Sequence, residues 1–92
     1  MNITTRIESI AVADRHVRFG ECYLKKGQLG RAIRRYGQAA DEYHSAELSG
    51  LAKAAWLRRA ELCDLAGEVE RAAAARGIAA KIEVYDPEEA DQ

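Results

Sequence analysis

Apolar residues recur along this chain at steps of three and four. Ile7, Ile10, Ala11, Ala13, Val17, Phe19 or Gly20, Cys22, Tyr23 and Leu24 follow that rhythm, which is the period of one face of an α-helix. Thr5 followed by Glu8 reads as a capping box, hydroxyl and carboxylate satisfying helix-start amides reciprocally. Lys25 and Lys26 suit the negative end of a helix dipole, and Gly27 suits a left-handed C-terminal cap. The pattern predicts a first helix over residues 5–26. Leu29, Ala32, Ile33, Tyr36, Ala39, Ala40 and Tyr43 form the next stripe. Arg31, Arg34, Arg35, Gln38, Asp41 and Glu42 lie opposite it. This second helix is expected to reach Ala46 or Glu47, with Ser49-Gly50 as the break.

A third helix is expected over about residues 51–66, with Ala55, Trp56, Leu62, Cys63 and Leu65 apolar and Gly67 ending it. A fourth follows over about residues 68–84 through Val69, Ala72, Ala73, Ile78, Ala79 and Ile82. Pro87 forbids much further extension. The prediction is an all-α chain of four antiparallel helices, one domain over residues 1–84, followed by a flexible tail over residues 85–92. Composition agrees: Ala is abundant and is the best helix former, while the residues that favour strands are few. At 92 residues, such a domain buries roughly 60–65% of the surface its unfolded chain exposes. Its core is therefore thin.

Small residues and aromatics then repeat. His16-x-x-Phe19-Gly20-x-x-Tyr23, followed by Gly27, Ala32, Tyr36 and Ala39, resembles the tetratricopeptide signature, W-x-x-L-G-x-x-Y and A-x-x-x-F. Trp56, Ala60, Cys63, Gly67, Ala72 and Ala79 lie forty residues after His16, Gly20, Tyr23, Gly27, Ala32 and Ala39. The second unit supplies the family's Trp but places Arg59 and Arg76 where large apolar or aromatic residues stand, which suits a terminal repeat. The usual period is about 34 residues, so the extra length is expected between Ala39 and Trp56. The resemblance implies two stacked helix hairpins with a concave face that grips a segment of a partner protein. Mapped onto this chain, that groove takes Val17, Arg18, Glu21, Leu24 and Lys25 from the first hairpin and Leu57, Arg58 and Glu61 from the second. Val17 and Glu21 stand where relatives that hold a peptide carboxylate need Lys and Asn. A mixed-charge strand or an amphipathic helix is the expected occupant.

Chemistry adds little to this picture. Cys22 and Cys63 lack ligand spacing and fall in the apolar pattern, where free cysteine behaves as a small core residue. His16 and His44 share no metal-ligand spacing, and no nucleophile, phosphate or calcium motif is present. No catalysis, metal or cofactor is expected. No apolar run approaches the ~20 residues of a membrane span, and a reducing cytoplasm is expected. Net charge is −1, so no global field draws the chain to nucleic acid. The charge is unevenly spread: Met1 to Val84 carry fourteen Lys/Arg and eleven Asp/Glu, and the tail carries four acids.

Arg31, Arg34 and Arg35 on the second helix, with Arg59 on the third, could form an anion or nucleic-acid face. No aromatic platform is read among them, so a solvated face partly neutralised by Asp41, Glu42 and Glu61 is the plainer expectation. Three functions follow. The first is a protein-binding adaptor. The second is a self-assembling protein or homodimer, since two hairpins fall short of the three repeats that usually stand alone. The third is a small regulator of a nucleic-acid-associated complex. The acidic tail could cover the groove and compete with the partner.

Overall fold

The structure, a computed structural model, describes residues 2–84; the tail expected over residues 85–92 lies outside them. Four helices follow one another, α1 (Ile3–Lys25), α2 (Leu29–Ser45), α3 (Ser49–Leu65) and α4 (Val69–Lys81), with no strand among the described residues. The expected capping box at Thr5 and Glu8 is not what starts α1. Asn2 is extended at φ −80°, ψ 166°, and its Oδ1 accepts from the Thr5 N–H at 2.8 Å. Asn is among the strongest N-caps, so the helix opens earlier than residue 5. At the other end α4 stops at Lys81 rather than Val84, because Ile82 turns extended (φ −83°, ψ 118°).

The three turns share one geometry and recur every twenty residues. In each, the first N–H past the helix cap donates to the carbonyl three residues back (Gly27 to Leu24, Glu47 to His44, Gly67 to Asp64). The next donates five back (Gln28 to Tyr23, Leu48 to Tyr43, Glu68 to Cys63). This paired closure is a Schellman motif. It needs a left-handed residue, and φ is +73° at Gly27, +62° at Glu47 and +76° at Gly67. Ser49-Gly50, the expected break, instead lies inside the first turn of α3. The forty-residue spacing is thus two equal steps of twenty. The extra length sits in the helices, and the α2–α3 junction is no longer than the other two turns.

Glu47 adopts at a cost the conformation glycine adopts freely. A left-handed L-residue costs about 1–2 kcal/mol, and glycine returns part of that through its freer unfolded chain. Glu47→Gly is expected to stabilise the fold by about 1 kcal/mol, read as a higher denaturation midpoint at unchanged slope.

Neighbours in sequence are the helices that pack. α1 lies on α2, α2 on α3 and α3 on α4. Among the described residues no other helix pair brings Cα atoms within 8 Å. The arrangement is an open array and not a closed bundle, in which first and last helices would also meet. Small residues make the close approaches. Gly20 of α1 is buried against the Tyr36 ring of α2, and a Cβ there would stand 2.8 Å from the ring edge. Of the two residues offered for this face of α1, Gly20 is the buried one, and Phe19 is 42% exposed.

The core is mostly alanine. One cluster gathers Ala13, Ala39, Ala40, Tyr43, Ala52 and Ala55. The other gathers Ala32, Ile33, Tyr36, Leu62, Cys63 and Ala72, and Val17 packs against both. Several residues expected inside are outside. Ile7, Leu65, Val69 and Ile78 are exposed, Leu65 by 71%, and Cys22 is exposed while Cys63 is buried. These apolar residues hold the helical phase, but an array that packs only against chain neighbours leaves them no partner.

Candidate functional site

Two surfaces concentrate the polar side chains, on opposite sides of α2. Its core-facing stripe sends Tyr36 and Tyr43 toward α1 and α3. The Tyr43 hydroxyl donates to Asp14 Oδ1 of α1 at 2.6 Å. The Tyr36 ring lies on Gly20 of α1, and the residue packs in one cluster with Leu62 and Cys63 of α3. These two tyrosines floor a cleft whose walls, α1 and α3, do not touch through their backbones. Asp14, Val17, Arg18 and Tyr43 line a depression of about 350 Å³ there.

The expected groove residues divide. Val17 and Leu24 are half-buried and belong to the core as much as to the wall. Arg18, Glu21 and Lys25 are exposed on α1, and Leu57, Arg58 and Glu61 on α3. Arg58 pairs with Glu61 at 2.9 Å. That hydrogen bond raises the Arg58 pKa above its ordinary value, with Tyr36 acting in the same direction. The repeat-equivalent Arg18 and Glu21 form no such pair.

Burial first, and the hydrogen bond to Asp14 second, push the Tyr43 pKa up to about 12. Unfolded, the phenol ionises near 10, so between those values the native state holds a proton the unfolded chain has lost. This contribution to stability is complete below pH 10 and disappears as pH rises through 12. A phenolate absorbance titration is expected to show Tyr43 ionising later than an ordinary tyrosine, and Tyr43→Phe to flatten the alkaline fall in stability.

On the other side of α2, Arg31, Arg34, Arg35 and Gln38 join Tyr23 of α1 around a concavity of about 270 Å³. The expectation that no aromatic platform accompanies these arginines is overturned. The Arg35 guanidinium stacks over the Phe19 ring, 4.7 Å from its centroid, and Arg31 over Tyr23 at 5.8 Å. The rings come from α1, so no spacing within α2 reveals them. Counted outward from Gly27, Tyr23 and Arg31 are each four residues away, and Phe19 and Arg35 each eight. That mirror symmetry about a predicted hairpin turn is the signal that could have paired them. Arg35 Nη1 also donates to His16 Nδ1 at 3.1 Å. Burial, and then the Arg35 charge, lower the His16 pKa from its ordinary value, consistent with a neutral imidazole that accepts at Nδ1.

Arg59 does not join that constellation. It lies across Gly37 in the α2–α3 contact, where any Cβ would collide with its guanidinium. It donates to the Ile33 carbonyl at 3.3 Å and stacks on Trp56 at 5.8 Å. The apparent defect at this position is a half-buried cation admitted by a glycine. Arg76, the other departure, reaches back to Asp64 of α3 at 2.7 Å, and this hydrogen bond lowers the Asp64 pKa.

Among the described residues no group of three His, Cys, Asp or Glu is placed to hold a metal ion, and no helix is long and apolar enough to cross a membrane. Fold and surfaces together define an all-α helical array with two polar faces. No known protein family, curated protein or solved structure matches the chain.

Proposed function

We propose that this protein is a non-catalytic, tetratricopeptide-like binding module whose α1–α3 cleft receives a helix or peptide of a partner protein. The observation that carries this reading is the tyrosine floor. Tyr36 and Tyr43 lie between two helices whose backbones stay apart, beside a depression with an apolar wall at Val17 and charged walls at Asp14 and Arg18. Leu57 supplies an exposed apolar contact. Among the described residues Arg18 and Glu21 form no ion pair, so an incoming segment can satisfy both. An amphipathic helix offers that mixture of contacts.

Selection from a library of amphipathic peptides tests it. Peptides that bind are expected to perturb α1 and α3 amide signals and to lose at least about tenfold in affinity on Leu57→Glu or on combined Arg18→Glu and Arg58→Glu, with helicity intact. Selected peptides whose affinity ignores all three changes would overturn the reading. Self-association is a second reading, favoured by Leu65 and Val69, 71% and 69% exposed on either side of the last turn. Light scattering that shows a monomer across micromolar concentrations removes it.

A further inference from the structure

The charge of this chain is segregated in a way its net value conceals. Between Arg15 and Arg35 lie five arginines and two lysines against one acid, Glu21. These residues flank the turn at Gly27, so the turn end of the α1–α2 hairpin carries +6. With −1 in total, everything else sums to −7. Among the described residues none of those seven cations forms an ion pair: the pairs there are Arg58–Glu61, Arg71–Glu68 and Arg76–Asp64.

We infer that the concavity bounded by Tyr23, Arg31, Arg34, Arg35 and Gln38 is a second binding site, for a short carboxylate-rich segment of a protein. Charge complementarity gives the sign of the ligand. Arg31 and Arg35 are held by stacking on Tyr23 and Phe19, and a restrained guanidinium loses less freedom when it binds a carboxylate in a fork.

Two observations favour an acidic peptide over nucleic acid. One face of each ring that bases would stack on already carries a guanidinium group, so part of the platform used by single-strand binders is occupied. The second is Gln38, whose side-chain oxygen is buried without a hydrogen-bond partner. An orphaned acceptor needs a donor. A peptide carries an N–H at nearly every residue, whereas a phosphodiester backbone has none. The −7 remainder also confines the footprint, since a long polyanion would leave the positive end and meet repulsion. The site lies on the side of α2 away from the tyrosine floor, so it stands or falls apart from the cleft.

The test uses the full chain and a fluorescein-labelled twelve-residue Ala–Glu peptide with carboxylates three and four residues apart. Its anisotropy is compared with that of a labelled dodecathymidylate, and inorganic phosphate serves as competitor. The peptide is expected to bind at low salt and to lose about tenfold or more in affinity on Arg34→Glu. Arg34 is exposed and forms no hydrogen bond or ion pair among the described residues, so this change leaves the fold intact, which circular dichroism checks. Arg31→Lys keeps the charge but loses fork and stack, and is expected to weaken binding several-fold. Gln38→Leu is expected to weaken the peptide and not phosphate, and Leu57→Glu to change nothing. Absence of peptide binding, an affinity unmoved by Arg34→Glu, or tighter binding of dodecathymidylate or phosphate than of the peptide would overturn the inference.

Discussion

Leu62→Ala is expected to lower the stability of this protein by about 3 kcal/mol. Leu62 is 1% exposed and, with Ile33 and Cys63, one of the three largest side chains fully enclosed by the fold. Around it, Ala32 and Ala72 have little reach, and Ile33, Tyr36 and Cys63 are already packed in the same cluster, so little can collapse into the space a lost isobutyl group leaves. Cavity cost therefore adds to the lost transfer energy. A domain of this class has about 5–15 kcal/mol in all, so the change removes a large share. For a chain this size it corresponds to a fall in Tm of roughly 12–24 °C, measured by thermal circular dichroism. A loss below about 1 kcal/mol would mean that the α2–α3–α4 cluster is looser than its burial indicates.

Gly20→Leu is expected to have a comparable effect, about 3 kcal/mol, by the opposite route. Even a Cβ at this position falls 2.8 Å from the Tyr36 ring, and that ring is 5% exposed with nowhere to move. The gain from replacing glycine inside a helix, about 1 kcal/mol, offsets only part of the overpacking. In a Tyr36→Ala background the same substitution should cost far less, and the double-mutant cycle measures that contact. Gly37→Ala makes a useful contrast. The atom in its way is the end of the Arg59 side chain, which can swing toward solvent, so the net change there should stay within about 1 kcal/mol.

The contrast between Gly20 and Gly37 shows what the sequence could carry. A buried glycine spaced seven residues before Gly27 was legible from the repeat, and so were Ala32 and the turns at Gly27 and Gly67. Glu47 was not, because nothing in a glutamate announces a left-handed backbone; the neighbouring Ser49-Gly50 gave a stronger local signal and displaced the break. Leu65, Val69 and Ile78 were misplaced for another reason. Helical phase says which residues share a face, and whether a neighbour covers that face is decided by how the whole array packs. The aromatic support under Arg31 and Arg35 was missed because it is contributed across a turn. The expected groove residues stand on α1 and α3, yet burial of Val17 and Leu24 depends on how far α1 sinks onto α2.

Contact confined to successive helices also sets how the chain reaches its native state. Every helix finds its partner just across a three-residue turn, so loop-closure entropy is small and native contacts are short-range along the chain. Folding is expected on the microsecond-to-millisecond scale of helical proteins, with no long-range pairing to delay it. Loss of order follows the same line in reverse. Among the described residues α4, the shortest helix, is held on one side only, so hydrogen exchange should open it at a lower free energy than α2 and α3, which are clasped on both sides.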